Sequence, residues 1–555
     1  MAETPDGQAG DLPHANVVRS AGIVSAAVLL SRITGLVREI AFARLFGAGL
    51  ANDAFVLAFR IPNLTRDLFA EGALSSAFVP TFTKYLSEKG KQAAAHLSNL
   101  VATVLILIVS AVCVAGMIWA HELVNLFAGK FKEVPGKFEL AVTLTRIMFP
   151  FLLLVALAAQ AMGILNASNR FGVPALSSSL FNIGSLLFGL AAGHWIAPRF
   201  GMHPIVGMGY GVVFGGALQL LCQVPSLIRC GFGFRPAIDW SHPGLRHIFA
   251  LMGPAIVGTA ALQVNVMVNT SFAAGLTDAA GRVINGPVTW LNAAFRFMQL
   301  PLGLFGVAIA SATLPAISRS ATAGKSDEFR RTLSRSLGLV FLLTVPSSVG
   351  LAVLGEPIVA TFYQGGAFSA FDTRQTAMAL ACYAVGLAGY SAVKILAPAF
   401  YALGDARGPM IVSIVSIAIN YGAASTMVKV AGLGHAGLAL STSIVATFNF
   451  LLLFGMLRNR IGGIHGGELL SSFLKVIAAS AVMGAVCFTS SYFMREWMGL
   501  SKMARLADLA VSVPLGSACL YAVARLLRLP ELEMASAAIA GPLMRRLRIS
   551  RAKMN

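Results

Sequence analysis

Charge is scarce in this 555-residue chain. Lysine, arginine, aspartate and glutamate together make up 12% of it, against 57% for the hydrophobic types. A soluble chain carries about a quarter charged residues, so a water-facing multidomain protein is excluded and a polytopic membrane protein remains. Cysteine is equally sparse. Cys113, Cys222, Cys230, Cys382, Cys487 and Cys519 lie scattered in apolar segments with no CxxC pair, so they read as small core residues, not as a disulfide framework or a thiolate metal site. The nine histidines show no HxxxH spacing, and no phosphate-binding P-loop is present. These absences argue against metal chemistry, against ATP hydrolysis and against a membrane enzyme. The opening MAETPDGQAGDLPHANVV lacks the basic start and cleavage site of a signal peptide. It reads as a polar tail, residues 1–18, before an uncleaved first span.

What is present is a succession of apolar runs long enough to cross a bilayer. Fourteen are expected, near 19–45, 50–82, 95–127, 137–166, 171–197, 204–228, 246–275, 284–316, 332–355, 376–402, 408–430, 434–457, 468–494 and 505–527. The fold class is therefore all-α and polytopic. Loops on the side of the N-terminus, with the C-terminal tail, hold 22 lysines and arginines; the opposite loops hold 10, Lys132 and Lys137 among them. Positive residues favour the cytoplasm, which places both termini inside. The net charge of +19 then needs no nucleic acid as partner. The basic tail RRLRISRAK, within 528–555, can also meet anionic lipid heads.

The chain repeats itself. AFR at 58–60 is followed by Leu68–Phe69 and Pro80; AFR at 294–296 is followed by Leu304–Phe305 and Pro315. The offset is 236 residues for the first two features and 235 for the prolines, and the prolines of NRFGVP (169–174) and DARGP (405–409) are 235 apart as well. The expected organisation is two six-helix lobes of like orientation, 19–228 and 246–457, plus two further helices at 468–527. In such folds the substrate site lies between the halves.

Charges that do occur concentrate in the first two spans. Arg32, Arg38, Glu39, Arg44, Asp53, Arg60, Arg66, Asp67 and Glu71 stand within SRITGLVREIAFARLFGAGLANDAFVLAFRIPNLTRDLFAEGALSSAFVP. A charge at membrane depth costs a few kcal/mol or more, so such residues face a bundle interior or a wet cavity. Asp53, Arg60 and Asp67 are seven apart and share a face, and Pro62 interrupts the helix between them. Arg296 lies about twelve residues into the eighth span, too deep for snorkelling, with Gln299 on the next turn and no carboxylate on its own span. Mutual pairing that only fastens helices is the bland alternative, and the minority one, for Asp53, Asp67 and Glu71, which have arginines close by. Arg38, Arg66 and Arg296 are not disposed of so easily. A guanidinium stays charged and presents a planar fork suited to phosphate, so an anionic substrate such as a phosphate ester is expected. Asp53, at the start of its span, is expected to reach water and to shape the cavity, not to serve the scaffold.

The stretches SRITGLVREIAFARLFGAG, DAFVLAFRIPNLTRDLFAEGALSSAFVP, MGPAI (252–256), FGVAIASATLPAIS and KILAPAFYALGDARGP closely resemble the bacterial lipid II flippases, the MurJ or MviN family, over nearly the whole chain. The resemblance implies fourteen spans in the fold shared with multidrug and polysaccharide exporters. It implies transport of undecaprenyl-pyrophosphate-linked peptidoglycan precursor from the cytoplasmic to the periplasmic leaflet of the inner membrane, by alternating access of two lobes. The last two helices would form a groove for the lipid tail. The family's cavity arginines fall on Arg32, Arg38, Arg66 and Arg296, its carboxylates on Asp53 and Glu71, and Thr289 stands where relatives have serine. Gln299 stands where some members have glutamate, which leaves Arg296 without that partner. Some relatives bind sodium through acidic residues on the seventh and eleventh helices; only Gln263, Asn265, Asn269 and Asn420 are comparable here, and no metal site is carried over. No cofactor is expected, and the membrane potential or a monovalent ion are the candidate driving forces. Lipid II and membrane lipids are the implied partners of a monomer working near cell-wall synthases. A flippase for another polyprenyl-linked glycan would keep the arginines, whereas a multidrug antiporter on the same fold would line its cavity with carboxylates. An anion channel suits the repeat and the broken second helix less well than a carrier does. The segment FYQGGAFSAFD (362–372) is expected to cover a helix end on the periplasmic side.

Overall fold

The computed structural model describes residues 12–66, 74–464 and 466–534. Asp67, Glu71 and the basic tail, all singled out above, lie outside them. The described chain is α-helical, with two isolated antiparallel bridges, Thr277 to Val283 and Gly365 to Phe368, as its extended pairings. It divides into two compact units, Met1–Gln263 with Thr277–Asn285, and Val264–Leu276 with Gly286–Asn555.

The first unit contains α1 (Leu12–Phe46), α2 (Leu50–Arg66), α3 (Ser75–Glu88), α4 (Gly90–Ile118), α5 (Ala120–Ala128), α6 (Lys137–Met148), α7 (Phe151–Ala167), α8 (Gly172–Ala191), α9 (Ile205–Leu221) and α10 (Val224–Arg229). The division runs through α11 (Pro243–Ala274), whose later part starts the second unit. That unit continues with α12 (Pro287–Pro301), α13 (Ala308–Thr322), α14 (Ser326–Val353), α15 (Gly355–Phe362), α16 (Ala370–Val385), α17 (Leu387–Ala402), α18 (Arg407–Ser425), α19 (Gly434–Arg460), α20 (Gly466–Met498) and α21 (Lys502–Leu526).

Ten of the described helical stretches are long and apolar enough to cross a membrane, and the bent pair α16–α17, turning by 43°, makes an eleventh. The other three expected spans fall on α1, on α2 with α3, and on α11. α2 and α3, at 17 and 14 residues, are each too short to cross alone. Large apolar side chains turn outward along the spans; Trp497 is 90% exposed and Leu526 81%. In water such surface would be a liability, and in a bilayer it is the side that meets lipid.

Inside each unit small residues let helices approach. In α9, Gly207, Gly211 and Gly215 recur every fourth position and so line one face against α8. A Cβ on Gly207 would stand 2.1 Å from the Gly193 backbone nitrogen, and one on Gly211 2.3 Å from the Ser185 carbonyl oxygen. Backbone cannot retreat as a side chain can, so close approach here is the small-residue packing that holds membrane helices together. Gly211→Ala is expected to destabilise the detergent-solubilised protein by about 1–3 kcal/mol, the range for overpacking. Gly422→Ala, where a Cβ meets nothing within 4 Å, should be neutral or slightly stabilising. Equal unfolding midpoints for the two variants would count against this packing.

The second unit's core is aliphatic and aromatic, with Leu333, Leu337 and Phe341 of α14 packed on Leu396 and Phe400 of α17, Leu457 of α19 and Val476 of α20. At α12 the helix changes character. Pro301 has no amide hydrogen for the α-helical ladder, and the next turn, Leu302–Val307, widens to a π-helix before α13 resumes. In the first unit Pro62 lies inside α2 without interrupting it: the helix continues to Arg66, contrary to the break expected from the sequence.

Candidate functional site

On the first unit, Arg32 and Arg38 both project from α1, Arg32 exposed and Arg38 half-buried. The Arg38 guanidinium carbon lies 5.3 Å from the centre of the Phe181 ring of α8, a cation–π distance that steadies the cation while leaving its edge donors to other groups. Arg66 is half-buried in the last turn of α2.

Asp53 departs from the expectation stated above. It is fully buried and does not reach water. Lys137, the first residue of α6, donates to Asp53 Oδ2 at 2.9 Å, and Lys137 is itself 0% exposed. The same ammonium donates to Asn285 Oδ1 at 2.9 Å and sits 4.1 Å from the centre of the Phe131 ring. Counting Lys137 with the exposed loop lysines is therefore corrected: Gly136, in the left-handed region at φ 76°, turns the chain so that the next side chain enters the protein. Omitting it leaves the charge asymmetry between the two sides intact.

On the second unit, Thr289 is buried in the first turn of α12. Arg296 and Gln299, one turn apart, are exposed, whereas Phe297 and Met298 between them are buried. The helix thus presents a guanidinium and an amide on its accessible side and packs the apolar residues inward.

The amides expected to be comparable with a sodium site are brought together in this unit, except Gln263, which falls in the first. Asn420 Nδ2 donates to the Asn265 carbonyl at 3.2 Å and to Asn269 Oδ1 at 3.1 Å; Asn265 Nδ2 donates to Ser416 Oγ at 2.9 Å, and Asn269 Nδ2 to Thr442 Oγ1 at 2.8 Å. Asn265 Oδ1 is a buried acceptor without a partner. These groups are neutral, and most of them are hydrogen-bonded to one another.

The segment after α15 is pinned. Tyr363 and Phe368 are buried, Ser369 and Asp372 form a reciprocal cap on α16, and Trp290 Nε1 donates to Asp372 Oδ1 at 3.0 Å. Two further groups escaped notice. Asp508 of α21 is buried, accepting from Ser491 at 2.7 Å and Ser512 at 2.8 Å. The burial of Lys137, which the sequence places with the loop lysines, is the other, and spacing holds no clue to it, since Asp53 lies 84 positions away. Beside Asp508, α20 and α21 border an apolar groove of about 680 Å³, lined by residues such as Val482, Val486, Phe493, Trp497 and Leu515.

A helical chain with apolar surface outward and arginines on accessible faces of both units has the makings of a polytopic carrier. Its fold is shared with a multidrug transporter of the MATE family, solved inward-facing: TM-score 0.60 at 14% identity, covering 79% of this chain and 94% of that one. Closer matches give the family. The sequence profile described as "Lipid II flippase MurJ" matches residues 42–507. The lipid II flippase of Burkholderia cenocepacia is 36% identical over 91% of this chain and 96% of its own, and the probable lipid II flippase of Vibrio cholerae 34% over 94% and 98%. A lipid II flippase solved in an inward closed conformation superposes with a TM-score of 0.73 at 26% identity, covering 91% of this chain and 99% of that one. The chain belongs to the lipid II flippase MurJ family.

Proposed function

We propose that this protein flips lipid II, the undecaprenyl-pyrophosphate-linked peptidoglycan precursor, from the cytoplasmic to the periplasmic leaflet of the inner membrane by alternating access. The observation that carries the reading is Arg296 held on the accessible face of α12 in a member of this family, with Arg32, Arg38 and Arg66 on the first unit. Guanidinium groups suit a pyrophosphate and would repel the cationic drugs of a multidrug exporter. The groove beside α20 and α21 supports a place for the polyprenyl tail, which then stays in an apolar setting while the head crosses. Arg32, Arg38, Arg66, Arg296 and Gln299 are the substrate-facing residues on this reading; Thr289 is buried beside them in sequence, and Glu71 belongs to the same proposal but lies outside the described residues.

Transport on this scheme involves no bond-breaking step and no cofactor. Moving an anionic head out of a cell that is negative inside runs down the field, worth about 2.3 kcal/mol per charge per 100 mV. Conditional depletion with lipid analysis tests the function: precursor should accumulate on the inner leaflet. An unchanged precursor distribution would exclude it.

Orientation has its own test. Cysteines placed at Lys132 and Lys325, both exposed, in a cysteine-free background should label from opposite sides, Lys132 from outside. Labelling from one side would refute the span count between them and the assignment of both termini to the cytoplasm.

A further inference from the structure

A cavity of about 520 Å³ opens in the first unit where the start of α8 meets the end of α10. Its lining includes Asn169, Arg170, Ser226, Arg229 and Cys230, and no carboxylate. Arg170 and Arg229 are exposed, and their guanidinium groups make no hydrogen bond or ion pair with any described residue. Two like charges on one small cavity repel unless something anionic lies between them.

The repeat supplies the comparison. Aligned on Pro174 and Pro409, Arg170 occupies the position of Asp405 in the second unit. There the carboxylate accepts from the backbone N–H groups of Arg407 at 2.9 Å and Gly408 at 3.1 Å, at the start of α18, and pairs with Arg460 at the end of α19. The Gly408 N–H, then that of Arg407 and the Arg460 charge, hold the Asp405 carboxyl below its usual range. The second unit thus builds its own anion into the junction. The first unit has Arg229 at the end of the short α10, four positions beyond the repeat equivalent of Arg460, and the start of a 20-residue helix without a side-chain cap; in place of the acid it has a second arginine and open space.

We propose that this cavity binds the phosphate ester of an anionic phospholipid headgroup from the leaflet that Arg170 and Arg229 face. Two guanidinium forks and helical N–H donors match a singly charged phosphodiester. Basic pockets between membrane helices on the cytoplasmic side take such heads. The choice of a lipid source rests on the inside orientation given above; the phosphate chemistry does not.

The test uses the purified full-length protein in neutral detergent, titrated with short-chain phosphatidylglycerol, phosphatidylcholine of equal chain length, or inorganic phosphate. Phosphatidylglycerol should bind and phosphatidylcholine should not. The double variant Arg170→Gln/Arg229→Gln should bind phosphatidylglycerol at least about tenfold more weakly, through two lost charge-assisted contacts, with Arg170→Lys/Arg229→Lys in between. Wild-type affinity in the glutamine pair, or equal binding of phosphatidylcholine, would overturn the site. Inorganic phosphate competing at equal concentration would overturn the lipid source. Should the glutamine pair not fold, Cys230 gives a reading in the unaltered protein. Phosphatidylglycerol should slow maleimide labelling of that cysteine, counted by peptide mass, and undiminished labelling would refute the proposal. No transport is measured, so failure here leaves the flippase reading standing.

Discussion

Arg296→Ala should fold and yet bind a lipid-linked pyrophosphate roughly tenfold to a hundredfold more weakly than the unaltered protein. One charge-assisted contact is lost, worth about 1.5–3 kcal/mol. Because Arg296 is exposed on α12, its removal leaves no cavity in packed core, and the unfolding midpoint should move little. Arg296→Lys keeps the charge but not the planar fork, so its affinity should fall between the two. A ligand shifts a conformational equilibrium only by its differential affinity for the two states, so a weakened contact should slow the transport cycle as well. Both variants are to be purified, shown to be monodisperse, and assayed for binding and for flipping. Wild-type affinity in a folded Arg296→Ala protein would return this arginine to the scaffold.

Lys137→Met should have the opposite signature, a loss of folded protein. It leaves the Asp53 carboxylate buried without its cation, and breaking a buried pair from one side costs about 3–5 kcal/mol. It also removes the bond from Lys137 to Asn285. The double variant Asp53→Leu/Lys137→Met should recover much of the stability, since replacing both charges by apolar groups is often close to neutral. Thermal unfolding in detergent separates the cases. A Lys137→Met protein as stable as the unaltered one but dead in transport would make the pair part of the cycle. Asp53→Asn is then expected to lower folded protein, where sequence reasoning had it lower transport alone.

Some of this was settled by the sequence because the bilayer permits so few structures. A chain this apolar, with every backbone polar group needing an internal partner, has helices as its route across lipid. Length, hydropathy and the repeated proline register of 235 residues then supply the number and order of helices with no three-dimensional information. The arginines were legible for the same reason, because in an apolar span a charge is conspicuous.

What local pattern cannot express is which distant side chain answers a given charge. Asp53 looks like a cavity carboxylate one turn into its span; only the packing of α6 against α2 puts Lys137 on it. The three asparagines of the second unit read as sparse candidate ligands, until α11, α18 and α19 turn them onto each other and onto Ser416 and Thr442. Asp405 and Arg170 occupy equivalent places in the repeat, yet one is held by Arg460 and the other faces open space. In each case the sequence fixes the charge or the hydrogen-bonding groups, while burial and the approach of a second helix decide whether they are scaffold or site. Those two quantities arise only when residues many positions apart share one packed interior.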